Sequence, residues 1–324
     1  MTKEILTKKS DLLIKTAIVK KKTFAARLGI DLKNNWQLYI MVLPIVLFYL
    51  LFCYKPMYGV IIAFKDYSAR LGISGSNWVG FKHFTDFFTG PYFTRTLWNT
   101  FFISFSTLIF SFPMPIILAL LINELRSKAY SRVVQTVSYL PYFVSLVVIC
   151  SIIKEFTAAK GVITVMLGFF GFPGISMLNE PGLFVPVYVI SEIWQGMGWG
   201  SIVYLAALTS IGQELYEAAR IDGAGRFRQI LHVSLPGIMP TIIIMLILRL
   251  GGLMSIGYEK IILLYNPAIY STSDVISSFV FRRGIMDRSY SFSAAVGLFN
   301  SVINCVMLFA ANRLSKKVGE ASLW

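Results

Sequence analysis

Uncharged, largely apolar runs of about 20 residues recur along this chain, and a run of that length crosses roughly 30 Å of bilayer hydrocarbon as an α-helix. Trp36–Tyr54, Thr96–Asn123 and Val133–Ile153 are the first three. With 56% hydrophobic and 14% charged residues, the composition departs from the roughly 45–50% and 25% of ordinary soluble domains. A soluble globule is excluded on that ground. An outer-membrane barrel would instead show alternating segments of about 10 residues. The expectation is an all-α, polytopic membrane protein with six transmembrane helices.

The spans fall at about 36–54, 97–122, 134–153, 183–208, 237–256 and 290–312, within a membrane domain covering 34–318. Pro113 and Pro115 are expected to kink span two, because each removes a backbone donor, and Pro141 sits near the start of span three. The net charge of +14 would point to nucleic acid in a soluble protein, but here its placement follows topology. Residues 1–33 hold nine Lys/Arg against Glu4, Asp11 and Asp31, and basic clusters return at Arg126–Arg132, Arg220–Arg228 and Arg313–Lys317. Every second loop is therefore basic, which places both termini in the cytoplasm and leaves no role for nucleic acid.

The basic tail 1–33 reads first as an orientation signal and second as a surface for anionic membrane lipids. It lacks a small-residue cleavage site, so span one is expected to remain as an anchor. Residues 319–324 form a short C-terminal tail. Gly161–Asn179 is also free of charge, with four glycines and Pro173. As a seventh span it would put basic segments outside, so it reads as a re-entrant or interfacial segment. Cys53, Cys150 and Cys305 each lie in an apolar run and act as small hydrophobes.

The loop 209–236 holds Glu217-Ala218-Ala219-Arg220-Ile221-Asp222-Gly223-Ala224-Gly225, continuing to Val233-Ser234-Leu235-Pro236. The pattern predicts a short helix from about Gln213 to Asp222, a break at Gly223 where glycine enters left-handed geometry cheaply, and a second helix from about Arg226. Ala218 and Ala219 leave one side without bulk, so that face can sit deep in a groove on another protein. Glu214, Glu217 and Arg220 form a charged stripe beside it.

This loop resembles the signature of the integral-membrane subunits of binding-protein-dependent ABC importers: Glu-Ala-Ala, three residues, Gly, nine residues, Ile, one residue, Leu-Pro. The departure is Val233 in place of the isoleucine. The resemblance implies a type I ABC importer permease architecture with the ATPase-coupling role on Glu217, Ala218, Ala219, Arg220, Asp222, Gly223, Leu235 and Pro236. Lys55-Pro56-Met57-Tyr58-Gly59, Ala63-Phe64-Lys65-Asp66-Tyr67 and Trp78-Val79-Gly80-Phe81 are similar to oligosaccharide and polysaccharide permeases that work with lipoprotein solute receptors. So are Tyr265-Asn266-Pro267, Tyr270, Asp274-Val275-Ile276 and Arg282-Arg283-Gly284. This second resemblance implies a carbohydrate substrate, a second homologous permease, a cytoplasmic ATPase dimer that binds ATP and Mg, and an extracellular solute-binding lipoprotein.

The chain has no Gly-x-x-x-x-Gly-Lys-Ser/Thr phosphate cradle, so ATP hydrolysis is expected in a separate subunit and no cofactor in this one. His83 and His232 fall on opposite predicted sides and cannot share a metal; no catalytic residue is assigned.

Charge inside a span is costly and functional by default. Glu192 and Arg249 are the two such residues. They pair with each other, pair with other polar groups, or contact substrate. Glu192, Gln195 and Trp199 share one face of span four, with Gly196, Gly198 and Gly200 permitting close helix approach. Trp194 and Trp199 serve as sugar platforms or as packing. Asn300 and Asn304, at i and i+4 on span six, make interhelical bonds or touch sugar. Tyr258 and Glu259 face substrate or receptor. The alternative within this class is an ion-gradient carrier, which needs an acidic relay or paired repeats, with Glu192 as its sole support. A membrane enzyme acting on lipid-linked sugars needs clustered carboxylates or metal ligands, which the sequence lacks.

Overall fold

The computed structural model describes residues 32–318. The readings placed on the basic tail up to residue 31 and on the C-terminal tail 319–324 lie outside the described residues. The chain divides into two compact units, residues 1–59 and 60–324.

In the first unit, helix α1 (Trp36–Phe48) carries Pro44 and runs through a π-helical stretch, Tyr49–Tyr54, into Lys55–Met57. Its run of Leu, Ile, Val, Tyr and Phe is apolar on every side, which suits a helix surrounded by lipid rather than one with a single buried stripe.

The second unit opens with a small lobe. Strand β1 (Lys65–Asp66) pairs antiparallel with β2 (Asn77–Trp78). Phe64 stacks on Trp78 at 5.8 Å, the Lys65 ammonium donates to the Ile73 carbonyl at 2.7 Å, and Gly80 turns the chain at φ +61°. The Tyr67 amide donates to the Ser291 hydroxyl, which ties the lobe to the start of the last helix.

Span two is built from α2 (Phe93–Ser111) and α3 (Pro113–Asn123). At the place expected to kink, the helix is interrupted at Phe112 and α3 starts at Pro113, while Phe93–Asn123 still runs as one helical stretch of 31 residues. Where span three is expected, at about 134–153, the structure has two helices, α4 (Lys128–Phe143) and α5 (Leu146–Phe156), bent by 100°. Val144 and Ser145 are extended, and the Ser145 hydroxyl accepts from the Val148 amide as a new N-cap, so the turn is encoded locally.

Helix α6 (Phe184–Thr209) matches span four in extent. It lies against α2, α3 and α4. The Gly198 hydrogen faces the Ser138 carbonyl, where a Cβ would overlap the α4 backbone, and Gly200 meets Pro115. Gly196 faces open space, so two of the three glycines serve close packing.

Span five also departs from expectation. Helix α8 (Met239–Gly251) stops at Gly251, short of the expected 256, and is bent by 60° from the helical segment Arg226–Gly237. Helix α9 (Tyr258–Leu264) follows, and α10 (Tyr290–Val318) covers the stretch expected as span six and packs on α8. Residues 161–179 hold only a short helix, Val162–Gly168, and a 3-10 turn, Met177–Asn179, so no span forms there.

Among the described residues, Trp36–Phe64, Phe93–Asn123 and Tyr290–Lys317 are long and apolar enough to cross a membrane, and up to five spans result if each bent pair is one. Helix α6 falls outside that set although it is long enough, because Glu192, Gln195 and its glycines dilute its apolarity.

Candidate functional site

Two regions bring the chemistry-bearing residues together. The first is the loop between α6 and α8. Helix α7 (Gln213–Ile221) ends in a complete glycine cap: Gly223 has φ +76°, its amide donates to the Arg220 carbonyl at 3.0 Å, and the Ala224 amide donates to the Ala219 carbonyl at 2.8 Å. The Tyr216 and Ser234 hydroxyls meet at 2.9 Å, and buried Gln229 donates to the Ala224 carbonyl, so both halves of the loop are fixed to each other. Leu235 packs beside Ile116, Tyr204, Leu208 and Ile238, and Pro236 lies in the short helix Leu235–Gly237, so this end of the loop is anchored in the bundle.

The other side of the loop is bare. Ile221 is 87% exposed and Phe227 72%, with Leu215 also exposed beside Glu214, Glu217, Ala218, Arg220 and Asp222. Large apolar side chains held outward together on a capped element form a candidate contact surface.

The second region is a cavity of about 220 Å³ lined by Ser104, Thr107, Tyr188, Glu192, Arg249, Glu259 and Lys260, among others. One wall is the unwound chain after α8. Its backbone groups are taken up from three directions: Asn304 Oδ1 accepts from the Met254 amide at 2.9 Å, the Ser104 hydroxyl donates to the Leu253 carbonyl, and the Ser277 hydroxyl donates to the Ile256 carbonyl at 3.0 Å. Non-helical backbone at membrane depth requires such partners.

Glu192 does not pair with Arg249. Its carboxylate accepts from the Lys260 ammonium at 2.7 Å, and Gln195 Oε1 accepts from the same nitrogen at 3.2 Å. Lys260 is 3% exposed and lies over the Tyr188 ring at 5.5 Å. It is the residue that reading by spans missed: it sits beyond the end of span five. The signal was there, since it is the one basic residue between Arg249 and Arg282.

The remaining candidates separate. Trp199 leaves the polar face of α6 and stacks on Tyr142 at 4.7 Å, with Phe143 edge-on, at the bend of span three. Trp194 is exposed elsewhere on α6. Asn304 binds the unwound chain and also donates to the Ser255 hydroxyl at 2.8 Å, an interhelical role. Tyr258 and Asn300 line a different, more apolar cavity, where Tyr258 stacks on Phe281 at 5.5 Å.

Outside both regions, Asp274 is fully buried and binds Arg95 at 3.2 Å, Arg282 at 2.7 Å and the Ser278 hydroxyl at 2.9 Å. Burial opposes the Arg282 charge, but the hydrogen bond and attraction of Asp274 outweigh it and hold the guanidinium above its ordinary range. Asn99 donates to the Asp274 and Ser271 carbonyls, so the segment 265–288 is keyed to α2.

A helical membrane bundle with a broken span beside a polar cavity and a capped, outward-facing loop defines a transport permease. Residues 111–320 match the family described as binding-protein-dependent transport system inner membrane component, and the chain belongs to that family. It is a multi-pass protein of the bacterial plasma membrane, a transporter component rather than an enzyme. It is 45% identical over 294 residues to Protein LplB of Bacillus subtilis (strain 168), covering 90% of this chain and 92% of that one. It is 41% identical to the polygalacturonan/rhamnogalacturonan transport system permease protein YteP of the same organism, covering 95% and 96%. Among solved structures it is similar to a chain of the bacterial alginate ABC transporter in complex with alginate pentasaccharide-bound periplasmic protein. There the TM-score is 0.84 and the identity 42%, over 92% of this chain and 100% of that one. A chain of the MetNI methionine ABC transporter shares the fold alone, at TM-score 0.52 and 17% identity.

Proposed function

We propose that this chain is the membrane-spanning permease subunit of an ATP-driven importer that receives an oligosaccharide from an extracellular solute-binding lipoprotein and releases it into the cell. The exposed apolar side chains on the capped loop carry the proposal. Ile221, Phe227 and Leu215 need a partner, and the family supplies one in a cytoplasmic ATPase. In this reading Glu217, Ala218, Ala219, Arg220, Asp222 and Gly223 dock on the ATPase dimer, which binds ATP and Mg, while Leu235 and Pro236 pass its movement to α8. A second homologous permease completes the membrane domain.

The topology that fits is six spans with both termini in the cytoplasm. The bent pairs serve as spans three and five, and α6 as span four, its polar residues sheltered by neighbouring helices. The names of the relatives, which cover polygalacturonan/rhamnogalacturonan, alginate and arabinooligosaccharides, support a carbohydrate substrate. Glu192 and Arg249, with Gln195 and Glu259, are the substrate-path residues of the cavity; Trp194, Trp199, Tyr258 and Asn300 are assigned to the path outside it, and Asn304 to its frame. The ion-gradient alternative needs Glu192 as a relay, and that carboxylate is held by Lys260.

Co-purification from native membranes tests the reading. A related permease, an ATPase and a lipoprotein should be retained with the chain, and purified complex should hydrolyse ATP faster when loaded receptor is added. A stable homo-oligomer that transports without nucleotide would overturn it.

A further inference from the structure

Arg249 stands in the last turn of α8, lines the 220 Å³ cavity and has no hydrogen-bond or ion-pair partner among the described residues. A guanidinium within a membrane span is rarely left to lipid; it faces a cavity, a partner or a substrate. The surroundings decide among these. The cation on the Glu192 carboxylate is Lys260, and no contact joins that acid to Arg249. The hydroxyls of Ser104, Thr107 and Ser255 line the same space. Each is anchored, by Ser104 and Thr107 donating to backbone carbonyls and by Ser255 accepting from Asn304, and each hydroxyl oxygen keeps further acceptor capacity. The wall beside Arg249 is unwound chain, and broken helices at such depth are a recurrent way to build transport sites. The volume is below the roughly 300–1,000 Å³ of drug-sized sites, which suits one sugar ring rather than a chain of them.

We propose that Arg249 binds the carboxylate of a uronic acid residue as an acidic oligosaccharide passes through this cavity, with Lys260 holding the Glu192 carboxylate out of competition. The inference rests on the importer reading and adds the charge of the substrate and the residue that reads it. A planar guanidinium accepts a carboxylate in two parallel hydrogen bonds, which a neutral or esterified sugar cannot offer. The ring hydroxyls then meet Ser104, Thr107 and Ser255. Glu259, in the first turn of α9, lines the same cavity and carries the opposing charge, so the site is selective through placement rather than through net charge.

The test measures uptake per assembled complex in cells carrying the full importer. The probes are oligogalacturonates, alginate oligosaccharides and their methyl-esterified forms. The unaltered protein should import at least one acidic probe and discriminate against its ester. Arg249→Gln should lower that uptake by about tenfold or more, the worth of a lost charge-assisted bond, and erase the discrimination, while Arg249→Lys retains part of both. Lys260→Met should also lower acidic uptake, because it uncovers the Glu192 carboxylate, and adding Glu192→Gln should restore it.

Import confined to esterified or neutral probes, no import of any acidic probe, or unchanged discrimination in Arg249→Gln would overturn the assignment. So would a loss of assembled complex in Arg249→Gln with uptake per complex unchanged, which would mean that Arg249 holds the second permease. If neither ATPase nor lipoprotein co-purifies, the importer reading itself fails, a result separable from all of these.

Discussion

Arg95, near the start of α2, lies 3.2 Å from Asp274, and the same carboxylate oxygen binds Arg282 at 2.7 Å. One fully buried acid therefore joins α2 to the segment between α9 and α10. Removing one member of a buried pair costs about 3–5 kcal/mol, and the partial exposure of both arginines brings the value here toward the lower end. Asp274→Asn should lower the melting temperature of detergent-purified protein by several degrees. Arg283→Gln removes an exposed pair with Asp287 and a cation–π contact with Phe279 at 5.9 Å, together worth about 1 kcal/mol, and should shift the melting curve far less.

Gly223 is the pivot of the loop. An alanine there would be held in left-handed geometry at about 1–2 kcal/mol, or would undo the cap. Gly223→Ala should reach the membrane in normal amount yet lose receptor-stimulated ATP hydrolysis and uptake together. Retained uptake would show that the cap is not part of the coupling.

Ile221 and Phe227 are exposed, so changing them carries little folding cost. Ile221→Asp and Phe227→Asp should release the ATPase on purification while the chain keeps its melting temperature. An ATPase that stays bound to both variants would move the docking face elsewhere.

Asn304 satisfies the Met254 amide beyond the end of α8. Asn304→Ala leaves that buried donor without an acceptor, at about 1–3 kcal/mol. Faster hydrogen exchange confined to residues 252–257 is expected; uniform exchange across α8 and α10 would argue for a wider collapse.

Gly198 and Gly196 face different surroundings on α6. Gly198→Ala places a Cβ against the Ser138 carbonyl and should separate α6 from α4, whereas Gly196→Ala meets open space. Thermal stability should fall for the first and hold for the second.

The chemistry of the loop was legible because it is local. Cap, helix and break all lie within a dozen residues, and a glycine at that point has few structural alternatives. The extent of α6 was legible for a similar reason, although its low apolarity hides it from hydropathy. The partner of Glu192 was not: Lys260 stood out as the one basic residue of its stretch, but its pairing with a carboxylate 68 residues away appears only in three dimensions. The early stop of α8 depends on Asn304, Ser104 and Ser277 arriving from other elements. The 100° turn at Val144–Ser145 had only Pro141 as a sequence sign, and an uncharged run conceals a change of direction. Asp274 stood in a motif without a role, since burial and its two arginines appear only in three dimensions.

The open chain from Gly252 to Gly257 also bears on hydration. Side chains of Asn304, Ser104 and Ser277 take up three of its backbone groups, and the hydroxyls and charges around the cavity, with the carbonyls left over, are polar enough to be hydrated when no cargo is present. An arriving saccharide then exchanges one set of hydroxyl contacts for another instead of being stripped in a dry passage. Transit through such a wet vestibule is gentle in energy, and selectivity has to come from the few groups that water imitates poorly.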